Sequence, residues 1–410
     1  MSFIMNIRSV AKYESKILVR SWFFRIFTLL AVVFLGFFNF AMMLMEDNFG
    51  LWFAKSVSSN IPYLNLLLLN TGQAVVAVFL SSEFLKRDKK LDTFEVFYVR
   101  PLSNAEYVVG KIWGNLRVFL FLNLLVLAIV LAFNFMASGV TVDLPAYLVY
   151  FFLISIPTLI FIIGLSIFLM LLLKNQALTF ILLLGYIGLT LFYIQDKFYY
   201  LFDYMVYNLP LFKSTIVGFS NLELILNHRA IYFFAGLGFI FFTIFLFKRL
   251  PNARRSHYPW LFLSFCMFLL MGTAGFRHVR SILWEGEMRA LYTSINNKYV
   301  YEPKMAIDYY DISVEQKSET IRSVVGMEGT ALAASEVFIF CLNPGLRVEE
   351  VKDGEKSLNF KREEQILAVD FGRKIEKGDT ISFSVSYEGR IKDDFCYLDI
   401  PEEVLQQPHD

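Results

Sequence analysis

The residues best suited to hold a zinc ion are the four histidines, His228, His257, His278 and His409. Zinc hydrolysis needs two imidazoles one helical turn apart with a carboxylate base beside them. No H-E-x-x-H occurs, and the four are scattered over the boundaries of apolar runs and the C-terminal end. Each therefore reads as an interfacial or solvated histidine, and no metal site or other cofactor follows. Nucleotide hydrolysis needs a G-x-x-x-x-G-K-[ST] loop to cradle phosphates. Gly110-Lys111 is followed by Ile112 and lacks the upstream glycine, so it is no such loop. What remains is a segment built to touch another protein, KRDKKLDTFEVFYVRPLSNAEYVVGK, from Lys86 to Lys111. Asp92, Glu95, Arg100 and Glu106 offer polar contacts, and Phe94, Phe97 and Tyr98 offer apolar area for the centre of an interface. Pro101 fixes a bend after which Ser103 or Asn104 can cap a helix, with Glu106 near the positive end of its dipole. The plainer alternative is a solvated helix of alternating charge that only fixes topology, with Arg87 and Lys111 held at headgroups.

The elements around this segment are apolar. With 56% hydrophobic, 17% aromatic and 18% charged residues, the 410-residue chain has the composition of an integral membrane protein. Uncharged runs recur at Ile26 to Met45, Ile61 to Ser82, Val118 to Val142, Leu144 to Leu173, Asn175 to Gln195, Ala230 to Phe247 and Tyr258 to Phe276. Helices of this length cross a hydrocarbon core of ~30 Å at ~1.5 Å per residue, so seven transmembrane helices are expected. Basic residues crowd alternate loops: before the first run, between the second and third, and between the sixth and seventh. The positive-inside rule then puts the N-terminus in the cytoplasm and everything after Phe276 outside. The first run reads as an uncleaved anchor, since no A-x-A-like site ends it. Ser2 to Phe24 reads as an interfacial helix whose basic residues favour anionic headgroups. The net charge of +1 gives no reason to expect a nucleic-acid partner.

No Asp, Glu, Lys or Arg is expected near the middle of a span, which disfavours proton- or sodium-coupled transport. Asn65, Asn70, Gln73, Asn123 and Asn134 are expected to hydrogen-bond between helices. Gly164, Ser166, Gly185 and Gly188 are expected to allow close helix packing. The loop from Asp196 to Arg229 is aromatic enough to lie in the outer interface or re-enter, with Pro210 separating two short helical pieces. Beyond a mixed linker the pattern changes to period two. Ile381, Phe383, Val385 and Tyr387 alternate with polar residues, and Ser335 to Leu342 is apolar on both faces, as for a strand inside a sandwich. Asp353-Gly354 and Lys377-Gly378-Asp379 supply turns, and six to eight strands are expected. Cys341 in its apolar strand reads as a buried free thiol, and pairing with Cys396 is the alternative.

Within the charged segment, Asp92-Thr93-Phe94-Glu95 followed by Pro101-Leu102-Ser103, Tyr107, Gly110 and Lys111 resembles the coupling region of ABC type-2 exporter permeases. The resemblance implies a permease subunit in the bacterial cytoplasmic membrane, driven by a separate ABC ATPase and completed by a second permease copy or a homologue. Its implied ATPase-coupling residues are Thr93, Phe94, Glu95, Phe97, Arg100, Pro101, Leu102, Tyr107, Gly110 and Lys111. The tail, through Tyr310 to Val314, Leu342 to Val348 and Val385 to Gly389, resembles the first, all-β domain of aminopeptidase N-like zinc peptidases, with their catalytic part absent. The expected organisation is an interfacial helix at 1–25, a helical permease domain at 26–276, a linker at 277–299 and an extracytoplasmic, sandwich-like β domain at 300–410. The chain itself is expected to be no enzyme. The alternative function is a membrane anchor or scaffold that presents the β domain outside the cell.

Overall fold

The computed structural model describes residues 3–44, 57–82, 102–136, 141–194, 197–209, 211, 213, 218–219, 221–247, 258–317, 319–392, 395 and 398. They divide into two compact units, Met1–Thr215 with Phe219–Val279, and Ile216–Gly218 with Arg280–Asp410. The helices are α1 (Phe3–Arg20), α2 (Trp22–Leu44), α3 (Asn60–Ser82), α4 (Asn104–Met136), α5 (Leu144–Leu173), α6 (Gln176–Phe192), α7 (Leu222–Leu246) and α8 (Tyr258–Lys298). Six of them, α2 to α5 with α7 and α8, are long and apolar enough to cross a membrane. The fifth of the seven expected spans is the shorter α6, whose 17 residues start at an Asn175 side chain capping the Leu178 amide. The stretch expected as a linker is mostly helix, because α8 runs unbroken through 41 residues to Lys298.

Buried amides knit the first unit together. Gln73 donates to Asn70 at 2.6 Å and Asn123 donates to Gln73 at 2.9 Å, while the Ser155 hydroxyl donates to Asn123 at 2.8 Å. Asn39 and Asn65 exchange two bonds, and Asn134 donates to the Tyr147 hydroxyl. All five expected amides thus bond between helices, Asn70 through Asn123 and Ser155, which offsets much of the cost of burying them, although the Asn134 Oδ1 finds no partner among the described residues. The glycine expectation holds only in part. A Cβ on Gly164 would sit 2.7 Å from the Gly236 carbonyl of α7, whereas one on Gly185 or Gly188 would meet nothing within 4 Å. The latter two permit no close approach here. Pro210 lies outside the described residues; the described part of its loop forms a 3-10 turn at Phe198–Tyr200, then further turns through Val206, and its last residues begin α7.

Among the described residues of the second unit, eight antiparallel strands form two sheets. One, ordered β1-β2-β8-β4-β5, uses β1 (Met305–Lys317), β2 (Thr320–Ala331), β8 (Thr380–Gly389), β4 (Leu346–Asp353) and β5 (Lys356–Ser357). The other, ordered β3-β7-β6, uses β3 (Ser335–Cys341), β7 (Ile366–Ile375) and β6 (Asn359–Glu363). Ile381, Phe383 and Val385 alternate inward, and Phe383 stands edge-on to Phe371 of the facing sheet. Gly354 and Gly378 make the expected turns with φ of 60° and 93°, values open to glycine. Ser335 to Leu342 departs from expectation. β3 is an edge strand in which only Phe338 is fully buried, and Cys341 is exposed. Its run of apolar residues reflects one packed face and one side wall rather than a sandwich interior. Cys396 lies outside the described residues.

Candidate functional site

Thr93, Phe94, Glu95, Phe97, Arg100 and Pro101 lie outside the described residues. The other four predicted site residues stand where the charged segment enters α4. Ser103 and Glu106 cap that helix reciprocally: the Ser103 hydroxyl accepts from the Glu106 amide at 3.1 Å, and the Glu106 carboxylate accepts from the Ser103 amide at 2.6 Å. The other carboxylate oxygen of Glu106 accepts from Asn6 of α1 at 2.8 Å, so the cap also grips the N-terminal helix.

The seam between α1 and α4 follows from the pattern of α1. Val10, Ala11, Glu14, Ser15 and Leu18 are buried along one face, while Arg8, Lys12, Lys16 and Arg20 are exposed. Gly110 is where the helices touch, since a Cβ there would stand 2.6 Å from the Val10 Cβ. Gly114, one turn on, is the same: its Cβ would lie 2.7 Å from the Glu14 Cβ and 2.9 Å from the Ala11 carbonyl. Between them Lys111 pairs with Glu14 at 3.2 Å. Arg117 reaches back to the Ser15 hydroxyl at 2.5 Å and the Ala11 carbonyl at 2.8 Å. Tyr107 stacks on Phe247 at 5.4 Å and 6°, next to an Asn104 bond to the Phe247 carbonyl, and Leu102 is half-buried. The structure thus brings Tyr107, Gly110 and Lys111 into contact with other helices of this chain. Gly114, Glu14 and Arg117 are members that the sequence reading passed over. The G-x-x-x-G spacing of Gly110 and Gly114 was the available signal.

A second polar centre was not expected. Arg229, read as a loop residue, lies within α7 and is 2% exposed. Its position follows from Pro157, which has no N–H for the carbonyl four residues back. The helix widens into a π turn at Phe151–Ser155, and Arg229 takes up the freed groups. It donates to the Leu153 carbonyl at 2.7 Å, the Thr158 hydroxyl at 2.8 Å and the Tyr204 carbonyl at 2.9 Å. A guanidinium therefore lies buried among the helices, near the start of α7.

His228 and His278 are likewise buried rather than solvated, with rings 5.1 Å apart. They bond to the carbonyls of Tyr200 and Tyr199 at 2.9 and 2.8 Å. These carbonyls belong to a left-handed turn, with φ of 54°, 59° and 61° at Phe198, Tyr199 and Tyr200. Such backbone costs ~1–2 kcal/mol per residue, and the two imidazoles help hold it. Nearby, Asp203 accepts from the amides of Tyr207 and Asn208, both at 2.8 Å. Burial lifts its carboxyl above the usual carboxylate range, against the opposing pull of those amides and Arg229. His257 and His409 lie outside the described residues. Among the described residues no three His, Cys, Asp or Glu side chains are grouped to hold a metal ion.

No protein-family model and no curated protein matches this chain. One solved structure that does is a mutant M1 zinc metallopeptidase from Deinococcus radiodurans bound to a Tyr-Ser-Ala substrate, at 17% identity and a TM-score of 0.20. The match covers 21% of this chain and 21% of that one. The chain thus combines several helices apolar enough for a membrane with a weak, partial likeness to a zinc metallopeptidase.

Proposed function

We propose that this chain is the permease subunit of an ATP-driven ABC type-2 exporter in a bacterial cytoplasmic membrane. α6 serves as a seventh span, the N-terminus is cytoplasmic and the β unit is extracytoplasmic. A separate ATPase binds the charged segment through Thr93, Phe94, Glu95, Phe97 and Arg100, and two copies or homologues enclose the pathway. The observation that supports this most is the seam of Gly110, Lys111 and Gly114 against α1. A displacement arriving through the charged segment enters α4 at a capped, rigid end, and the buried Glu14–Lys111 contact makes α1 move with it. The chain supplies the path and the partner supplies the hydrolysis.

The topology is tested with single cysteines at Lys89 and at Lys356 in a cysteine-free background, treated in intact cells with an impermeant thiol reagent. Labelling at Lys356 and not at Lys89 is expected. Labelling at Lys89 alone would invert the topology and end the exporter reading.

A further inference from the structure

The β unit contains a cleft of about 640 Å³, within the ~300–1,000 Å³ range of small-molecule sites. It arises because five strands face three. Tyr310 pairs with Met327 and Ile312 with Val325, and β8 continues the same face with Phe383 and Val385, which carry the core. The inner face of β1 and β2 therefore runs on past the edge of the narrower sheet, and Tyr310 and Ile312 stay 53% and 57% exposed. The end of β3 forms the opposite wall.

Two features select what fits there. The outer edge of β3 is largely closed to an added peptide strand, because the Ile339 amide already donates to the Pro303 carbonyl at 3.0 Å and the Val337 amide to the Ser335 hydroxyl at 3.1 Å. An occupant without backbone groups to pair, a hydrocarbon chain, suits the cleft better. Among the described lining residues Lys304 is the one charged side chain, and no carboxylate stands beside it there. Its ammonium donates to the Val300 carbonyl at 2.9 Å and keeps further donors for an anionic head. We infer that the cleft binds one single-chain anionic amphiphile, in its simplest form a long-chain fatty acid, with the tail over Ile312, Val325 and Met327 and the carboxylate at Lys304. This site stands apart from the transport reading and does not depend on it.

The test uses the full chain in lipid nanodiscs and a palmitic acid analogue carrying a photoreactive diazirine in its tail. After irradiation and digestion, label is expected on the peptides holding Tyr310, Ile312 and Met327. Excess palmitate should remove it and methyl palmitate should not. Lys304→Glu, an exposed change, should lower labelling about tenfold without shifting the melting temperature, and Ile312→Trp should do the same by filling the cleft. Label confined to the helical unit, equal competition by the methyl ester, or displacement by an apolar decapeptide would each overturn the assignment.

Discussion

Glu14 and Lys111 meet at 3.2 Å with both side chains 3% exposed, so the one acidic residue of α1 is neutralised out of water by α4. This leaves Arg8, Lys12, Lys16 and Arg20 as the charges α1 shows outward. A buried pair of this kind is costly to break from one side, because the remaining charge stays desolvated.

Lys111→Met is therefore expected to destabilise the helical unit by ~3–5 kcal/mol, since it takes the Lys111 ammonium away from a buried Glu14 carboxylate. Adding Glu14→Gln should recover most of that loss. Thermal unfolding of the single and double variants in one detergent checks the pair. Equal melting of Lys111→Met and the unaltered chain would show that the contact carries little.

Arg229→Lys is expected to destabilise nearly as much as Arg229→Met. A lysine ammonium lacks the planar fork that serves the Leu153 and Tyr204 carbonyls and the Thr158 hydroxyl together. Each buried group left unpaired costs ~1–3 kcal/mol. The two melting curves decide it, and full rescue by lysine would mean that charge alone is needed there.

Some of this was legible in local sequence, and the rest depended on tertiary contact. A cap at Ser103 or Asn104 and the alternation of Ile381, Phe383 and Val385 follow from spacing within one element; the structure selects Ser103 and adds the return bond to the Glu106 carboxylate. The approach at Gly110 and Gly114 also had a local signature. The turn at Phe198–Tyr200 had none: its left-handed backbone carries no glycine or asparagine and is held by imidazoles from distant helices. Arg229 was misplaced for a related reason. Its burial depends on the Leu153 carbonyl, freed by Pro157 in another helix, and on the Tyr204 carbonyl, which a count of charges along the chain does not register.

In the β unit, Glu363 accepts from the Tyr299 hydroxyl at 2.5 Å and from Lys298 at 3.0 Å. These bonds hold its carboxyl below the ordinary value, with the tyrosine bond the larger cause. The contribution is thus present above the unfolded carboxyl value of about 4.3 and lost as pH falls through the lower folded one. Glu363→Gln should flatten that part of the acid dependence of melting. An unchanged acid limb would assign it to other carboxylates.

The exporter account stands or falls on capture of an ATPase. The affinity-tagged chain, isolated from its native membrane in mild detergent, is expected to bring down an ATP-hydrolysing subunit. Glu95→Arg and Phe97→Asp should each weaken that capture roughly thirtyfold, as loss of ~2 kcal/mol at the centre of a contact does. Lys356→Glu in the β unit should leave it unchanged. If the unaltered chain brings down no ATPase, or if both loop variants capture it as well as the unaltered chain does, the segment from Lys86 to Lys111 is not a coupling site.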